Sequence, residues 1–202
     1  MRTVAIVPVK DLADAKSRLA GVLAPEERAA LALRTLCSVL DALALPPIAE
    51  RIVVSPDDAV LREAMARGAR GLRQQGRGLN NALEQARRSL APAQADALLV
   101  VLGDLPLLAG GDIHALLTLA GQLPGAGVVL APDRHGAGTN AVLLRPAGAL
   151  PFLFGAGSLA RFRDRASARQ LAVHLYHAPG TALDLDTPAD LAWLASHEGV
   201  RA

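Results

Sequence analysis

Cysteine is almost missing from these 202 residues, with Cys37 alone, which excludes an intrachain disulfide and a multi-cysteine zinc site. Cys37 falls in an apolar helical stretch and reads as an inert core thiol. Aromatic side chains make up only 2% of the chain. The stacking platforms of a single-strand nucleic-acid binder are therefore absent, and no nucleic-acid partner is expected. Long hydrophobic runs are lacking too. The most apolar stretch, Ala97 to Leu102, is far shorter than the roughly 20 residues of a bilayer-spanning helix. Lys10 and Asp11 arrive before a signal-peptide pattern develops, so a soluble, cytoplasmic protein with no membrane partner is expected. Lysine is the last shortage. Only Lys10 and Lys16 occur, against nineteen arginines, and both lie in one short loop.

What is present is a large apolar fraction, 51% of residues, enough for one sizeable core, and the chain reads as a single domain over 1–202. Short β-branched runs alternate with longer amphipathic segments, the order produced when a strand feeds a helix that returns to a parallel strand. An α/β fold with a doubly wound, mostly parallel sheet flanked by helices follows. Strands are expected at Thr3–Val9, Glu50–Ser55, Ala69–Arg73, Ala97–Leu102, Gly127–Ala131, Asn140–Arg145, Leu171–His177 and Ala182–Leu185. Helices are expected at Pro25–Leu43, Pro56–Arg67, Leu79–Leu90, Gly111–Leu123, from Ser158 to about Arg169, and at Pro188–Ser196. The last helix has a clear start, with Thr187 as cap, Pro188 in the first turn and Asp190 three residues after the cap.

Open α/β sheets bind ligands outside the carboxyl ends of their strands. The loop after the first strand, Pro8-Val9-Lys10 through Ala15-Lys16-Ser17-Arg18-Leu19, lies there and gathers both lysines. It matches neither a Walker loop nor the dinucleotide glycine fingerprint, so any grip on phosphate comes from charge and backbone amides. Solvated loop cations are the plainer alternative. Asp104 closes the most apolar strand in Gly103-Asp104-Leu105-Pro106, and Asp184-Leu185-Asp186 puts two carboxylates on one side of an extended segment. Carboxylates grouped in this way suit Mg²⁺ or Mn²⁺, although each motif alone reads equally as turn or cap chemistry. Gly138-Thr139-Asn140 and Gly155-Ala156-Gly157-Ser158 combine small residues with hydroxyls, and the second opens a helix, where backbone amides favour an anion. Gly76-Arg77-Gly78-Leu79-Asn80 lacks the third glycine of a dinucleotide site.

In sequence order, Pro8-Val9-Lys10, Ala15-Lys16-Ser17-Arg18-Leu19, Gly78-Leu79-Asn80, Gly103-Asp104-Leu105-Pro106, Ala131-Pro132-Asp133-Arg134, Gly138-Thr139-Asn140, Phe154-Gly155 with Ser158, and Leu183-Asp184-Leu185-Asp186-Thr187-Pro188 form a series. The series resembles the phosphoenolpyruvate and 2-phospho-L-lactate guanylyltransferases of coenzyme F-420 biosynthesis over nearly the whole chain. The resemblance implies a Rossmann-like nucleotidyltransferase fold, a three-layer sandwich shared with molybdenum-cofactor nucleotidyltransferases. GTP and a small phosphorylated carboxylic acid are the substrates it implies. Asp104, Asp184 and Asp186 fall at its metal-holding acids, and Thr139, Gly155 and Ser158 where the acid is held. Lys16 and Arg18 are the candidates for neutralising the triphosphate. Pro8, Val9, Lys10, Gly78 and Asn80 are the remaining nucleotide-side candidates, Gly78 and Asn80 bordering the base. Where such an acceptor site often has an aromatic after its serine, this chain has Leu159, with Phe162 following. Still open are the identity of the acid, 3-phosphoglycerate or a molybdopterin as acceptor, nucleotide-sugar transfer, a noncatalytic nucleotide-binding role, and monomer or homodimer.

Overall fold

The computed structural model describes residues 1–45, 48–91 and 94–198, with 197 and 198 described by backbone alone. Seven strands form one sheet: β1 Thr3–Pro8, β2 Ile48–Ser55, β3 Arg70–Arg73, β4 Ala97–Val101, β5 Gly127–Pro132, β6 Thr139–Arg145 and β7 Ala172–Leu175. Their order is β3-β2-β1-β4-β6-β5-β7. β6 alone is antiparallel to its neighbours β4 and β5, and the other strand pairs run parallel. The order jumps outward from β1 on both sides, which opens a crevice between the carboxyl ends of β1 and β4.

Period-two alternation decides which way each side chain faces. Ala5 and Val7 of β1, with Leu99 and Val101 of β4, pack beneath helices α1 (Pro25–Ala42), α2 (Asp58–Ala66) and α4 (Gly110–Gln122). Val4, Ile6, Leu98 and Val100 face the opposite way, against α3 (Leu79–Arg88) and α5 (Ser158–Ala168). The expected three-layer sandwich is thus built from helices on both faces of a sheet whose centre, β4, is buried along its whole length. Among the described residues, no helix is long and apolar enough to cross a membrane.

Helix starts follow capping chemistry. The Glu27 carboxylate accepts from the Ala24 amide at 2.7 Å ahead of α1, and Asp57 accepts from the Ala59 amide at 2.7 Å to cap α2. That cap is why α2 starts at Asp58 and not at the expected Pro56. α7 (Pro188–Glu198) opens as its sequence indicates, with the Asp190 carboxylate accepting from the Thr187 amide at 2.6 Å.

One expected strand is corrected. Ala182–Leu185 is not part of the sheet: Pro179–Ala182 makes a single helical turn, α6, and the chain then continues without regular structure to Thr187. Leu-Asp-Leu-Asp has the alternation of a strand, but the segment's partners are unlike a ladder. The Leu185 amide donates to the Asp104 carbonyl at 3.1 Å, the Arg134 amide to the Ala182 carbonyl at 2.8 Å, and the Asn140 side chain to the Thr181 carbonyl at 3.0 Å. Loop and side-chain donors satisfy this backbone, so it lies across the end of β4 and does not extend the sheet.

Candidate active site

A cleft of about 480 Å³ lies at the carboxyl end of β1 and β4. Its walls include Pro8, Val9, Lys10, Lys16 and Arg18 from the loop after β1, Gly78 and Leu79 from the start of α3, and the three acids Asp104, Asp184 and Asp186. The sequence candidates for nucleotide and metal therefore meet here, with the exception of Asn80. Gly103 lets the two strand ends come this close, because a β-carbon on it would stand 3.0 Å from Val9 Cγ2 and 3.4 Å from the Pro8 carbonyl oxygen.

Lys16 is placed differently from a free triphosphate cation. Its side chain is only 6% exposed, and its ammonium donates to Asp104 Oδ2 at 2.9 Å and Asp186 Oδ1 at 3.1 Å. Burial works against the charged form, but the two carboxylates outweigh it and hold the Lys16 pKa above its ordinary value. The backbone at Lys16 is left-handed, φ 50°, a conformation uncommon away from glycine and retained where surrounding contacts fix it. Arg18, with its side chain 74% exposed, reaches Asp186 only at 3.9 Å and stands over the mouth of the cleft with Lys10.

The acids are unequal. Burial, then the neighbouring Asp104 and Asp186 charges, push the Asp184 pKa up despite its hydrogen bonds. Asp104 Oδ1 is buried and has no hydrogen-bond partner. A buried bare carboxylate oxygen beside two further carboxylates is a donor set for a hard divalent cation. As they stand, no three His, Cys, Asp or Glu among the described residues are grouped to hold a metal ion. The Lys16 ammonium already bridges Asp104 and Asp186.

Several residues that sequence reasoning assigned no role hold this cluster. Asn140 is buried, and its amide nitrogen reaches Asp184 Oδ1 at 3.5 Å as well as the carbonyl of Thr181. Arg134 pairs with Asp190 at 2.5 Å, and Asp190 also accepts from the Asp186 amide at 3.0 Å. Asp57 accepts from the Leu12 amide at 3.0 Å, tying the lysine loop to the start of α2. Its pKa is lowered, because those amide bonds outweigh the effect of burial. The Gly138-Thr139-Asn140 motif carried a signal for Asn140. Asp57 is announced locally as the cap of α2, but nothing local announces its tie to Leu12, 45 residues away.

The acceptor candidates form a second group, and the structure does not bring them to the cleft wall. Phe154, Gly155 and Gly157 make a turn ahead of α5, with φ +116° at Gly155 and +65° at Gly157, values that side chains resist. The Ser158 amide, expected to be available to an anion, is instead donated to the Gly155 carbonyl at 3.0 Å, and the Leu159 amide to Ala137 at 3.2 Å. Thr139 Oγ1 is buried without a hydrogen-bond partner. Leu159 is buried, and Phe162, one turn along, meets Phe154 edge-on with ring centroids 5.4 Å apart. The aromatic packing beneath this turn thus comes from Phe162.

Asn80 joins the two groups. It does not border the cleft; its amide nitrogen donates to the Phe154 carbonyl at 3.1 Å and its amide oxygen accepts from the Phe154 amide at 3.0 Å. Both halves of its side chain are thereby committed to the turn.

The chain is similar to known proteins over nearly its whole length. The family model described as guanylyl transferase CofC like matches residues 3–201. A phosphoenolpyruvate guanylyltransferase of Rubrobacter xylanophilus is 49% identical over 201 residues, covering 100% of this chain and 97% of the relative. A 2-phospho-L-lactate guanylyltransferase of Methanothermobacter thermautotrophicus is 38% identical, covering 100% and 88%. Among solved structures, one from Desulfovibrio desulfuricans assigned to the nucleotide-diphospho-sugar transferases superposes with a TM-score of 0.81 at 18% identity, covering 100% of this chain and 90% of that one. That likeness is one of fold, and the nucleotidyltransferase-like architecture expected from the sequence is present. By family model and full-length relatives alike, the chain belongs to the CofC-like guanylyl transferases.

Proposed function

We propose that this protein transfers GMP from GTP to phosphoenolpyruvate or 2-phospho-L-lactate and releases pyrophosphate. The observation that carries the reading is the convergence of Lys16, Asp104, Asp184 and Asp186 in one cleft beside the loop cations Lys10 and Arg18, in a chain of this family. A phosphate oxygen of the acid attacks the α-phosphorus of GTP. One phosphorus–oxygen bond forms, the bond to the β-phosphate bridging oxygen breaks, and pyrophosphate leaves with the electron pair. The acid is already an anionic nucleophile, so no covalent enzyme intermediate and no general base are required.

The work left to the protein is to bring two polyanions together and hold them. Lys10 and Arg18 at the cleft mouth neutralise the triphosphate. Lys16 has three N–H donors; Asp104 and Asp186 take two, and the third serves a phosphate oxygen. Asp104, Asp184 and Asp186 would hold Mg²⁺ or Mn²⁺, whose chemistry is to offset charge on the attacking and leaving oxygens. Thr139, with its unpartnered hydroxyl, Gly155 and Ser158 receive the acid on the far side of Asn80.

The test is pyrophosphate release with GTP across a panel of phosphoenolpyruvate, both 2-phospholactate enantiomers and 3-phosphoglycerate. Release with phosphoenolpyruvate or 2-phospho-L-lactate supports the proposal. Release with 3-phosphoglycerate alone reassigns the acceptor. Absence of release, with sugar transfer from a nucleotide sugar, overturns the proposed reaction.

A further inference from the structure

We infer that Arg161 recognises the carboxylate of the acceptor acid, an inference that rests on the proposed reaction. Thr139, Gly155 and Ser158 bring no charge to a ligand that carries both a carboxylate and a phosphate. Two of the amides at the start of α5 are already spent on Gly155 and Ala137. A cation is nevertheless present at the turn. Arg161, one turn into α5, folds back so that one guanidinium nitrogen donates to the Phe154 carbonyl at 3.0 Å. The same nitrogen lies 3.2 Å from where a β-carbon on Gly155 would stand. The absent side chain of Gly155 thus leaves room for the guanidinium, which is a second reason for glycine there besides its φ of +116°.

The Phe154 carbonyl anchors one edge of the guanidinium, and Asn80 fixes that carbonyl in turn. A pre-positioned planar fork with further N–H donors is suited to a carboxylate, which it can bind through two parallel hydrogen bonds. The phosphate end of the acid is committed elsewhere, because its oxygen must reach the α-phosphorus in the cleft. Arg161 is not among the residues lining that cleft, so the end of the acid left for it is the carboxylate.

The experiment compares 2-phospho-L-lactate with isopropyl phosphate, the same molecule with methyl in place of carboxylate, in the unmodified protein and in Arg161→Gln and Arg161→Lys. Glutamine carries no charge and ends two bonds short of the guanidinium nitrogen that meets the Phe154 carbonyl. For Arg161→Gln the expected result is a loss of about ten- to a hundredfold in kcat/KM for 2-phospho-L-lactate. The rate with isopropyl phosphate and the GTP affinity stay unchanged, so the preference for the carboxylate collapses. Arg161→Lys should recover part of it. If Arg161→Gln lowers both substrates equally, or weakens GTP binding, the carboxylate assignment is overturned while the proposed reaction stands. Absence of turnover by the unmodified protein with either phosphorylated acid overturns the proposed reaction and this inference together.

Discussion

The two sides of the candidate site are made of different material. The cleft side gathers residues from opposite ends of the chain through charge: Lys16 bridges Asp104 and Asp186, and Arg134 pairs with Asp190 behind them. The turn from Phe154 to Ser158 contains no charged residue of its own; it is shaped by two positive-φ glycines and held by the paired hydrogen bonds of Asn80. Charge placed in this way suits a triphosphate, whose leaving pyrophosphate gains negative charge during transfer. A backbone turn with one guanidinium folded onto it suits a small acid. If the cleft takes the nucleotide and the turn takes the acid, as proposed, Asn80 stands between the two substrates, and substitutions on either side should have separable kinetic signatures.

The most damaging break is expected at the acids. Asp104→Asn should lower kcat by at least about a hundredfold, since charge stabilisation of the attacking and leaving oxygens is lost. Pyrophosphate release measures this directly, and full turnover in excess chelator or in the variant would contradict the role given to Asp104. Next comes Lys16→Ala, with an expected rise of about ten- to a hundredfold in the KM for GTP and a smaller change in the KM of the acid. A selective rise in the acid constant would exchange the two sides of the map.

Asn80→Ala sharpens the comparison from the middle. Removal of both bonds to Phe154 should raise the acid KM by about tenfold while GTP affinity holds, and a raised GTP constant alone would return Asn80 to the base. The smallest effect is one of stability. Asp57→Ala removes a helix cap and the tie to the lysine loop, costing about 1 kcal/mol, a fall in Tm of about 2–4 °C for a chain of this length. Because folding lowers the Asp57 pKa, its contribution is complete above the ordinary carboxylate range and is lost as pH falls through the lowered value. The Tm gap between Asp57→Ala and the unmodified protein should therefore close in acid; a gap that persists there would show that the charge is not what matters.

Much of the fold was legible because it is written locally. β-branched alternation marks the strands, and Thr187-Pro188 with Asp190 marks the start of α7 as found. Asp104, Asp184 and Asp186 were legible as strand-end or extended acids, and they do line one cleft. What stayed illegible depends on distant partners. Ala182–Leu185 alternates like a strand, yet its backbone is satisfied by Asn140, Arg134 and Asp104. Asn80 looks like part of a glycine loop at a nucleotide, and only the position of Phe154, 74 residues later, reveals its work. Lys16 is legible as a cation for the triphosphate, but sequence spacing cannot show that two carboxylates 88 and 170 residues away close on it.

The division of the site into a nucleotide side at the cleft and an acid side at the Gly155 turn is tested most directly by calorimetric titration of Gly155→Val with GTP. Valine at φ +116° is strained and would meet the Arg161 guanidinium, so the turn should be lost as an acceptor site and turnover with the acid should collapse. The account predicts a GTP Kd equal to that of the unmodified protein. A marked loss of GTP affinity, with phosphoenolpyruvate or 2-phospho-L-lactate still bound normally, would contradict it and assign the Gly155 turn to the nucleotide.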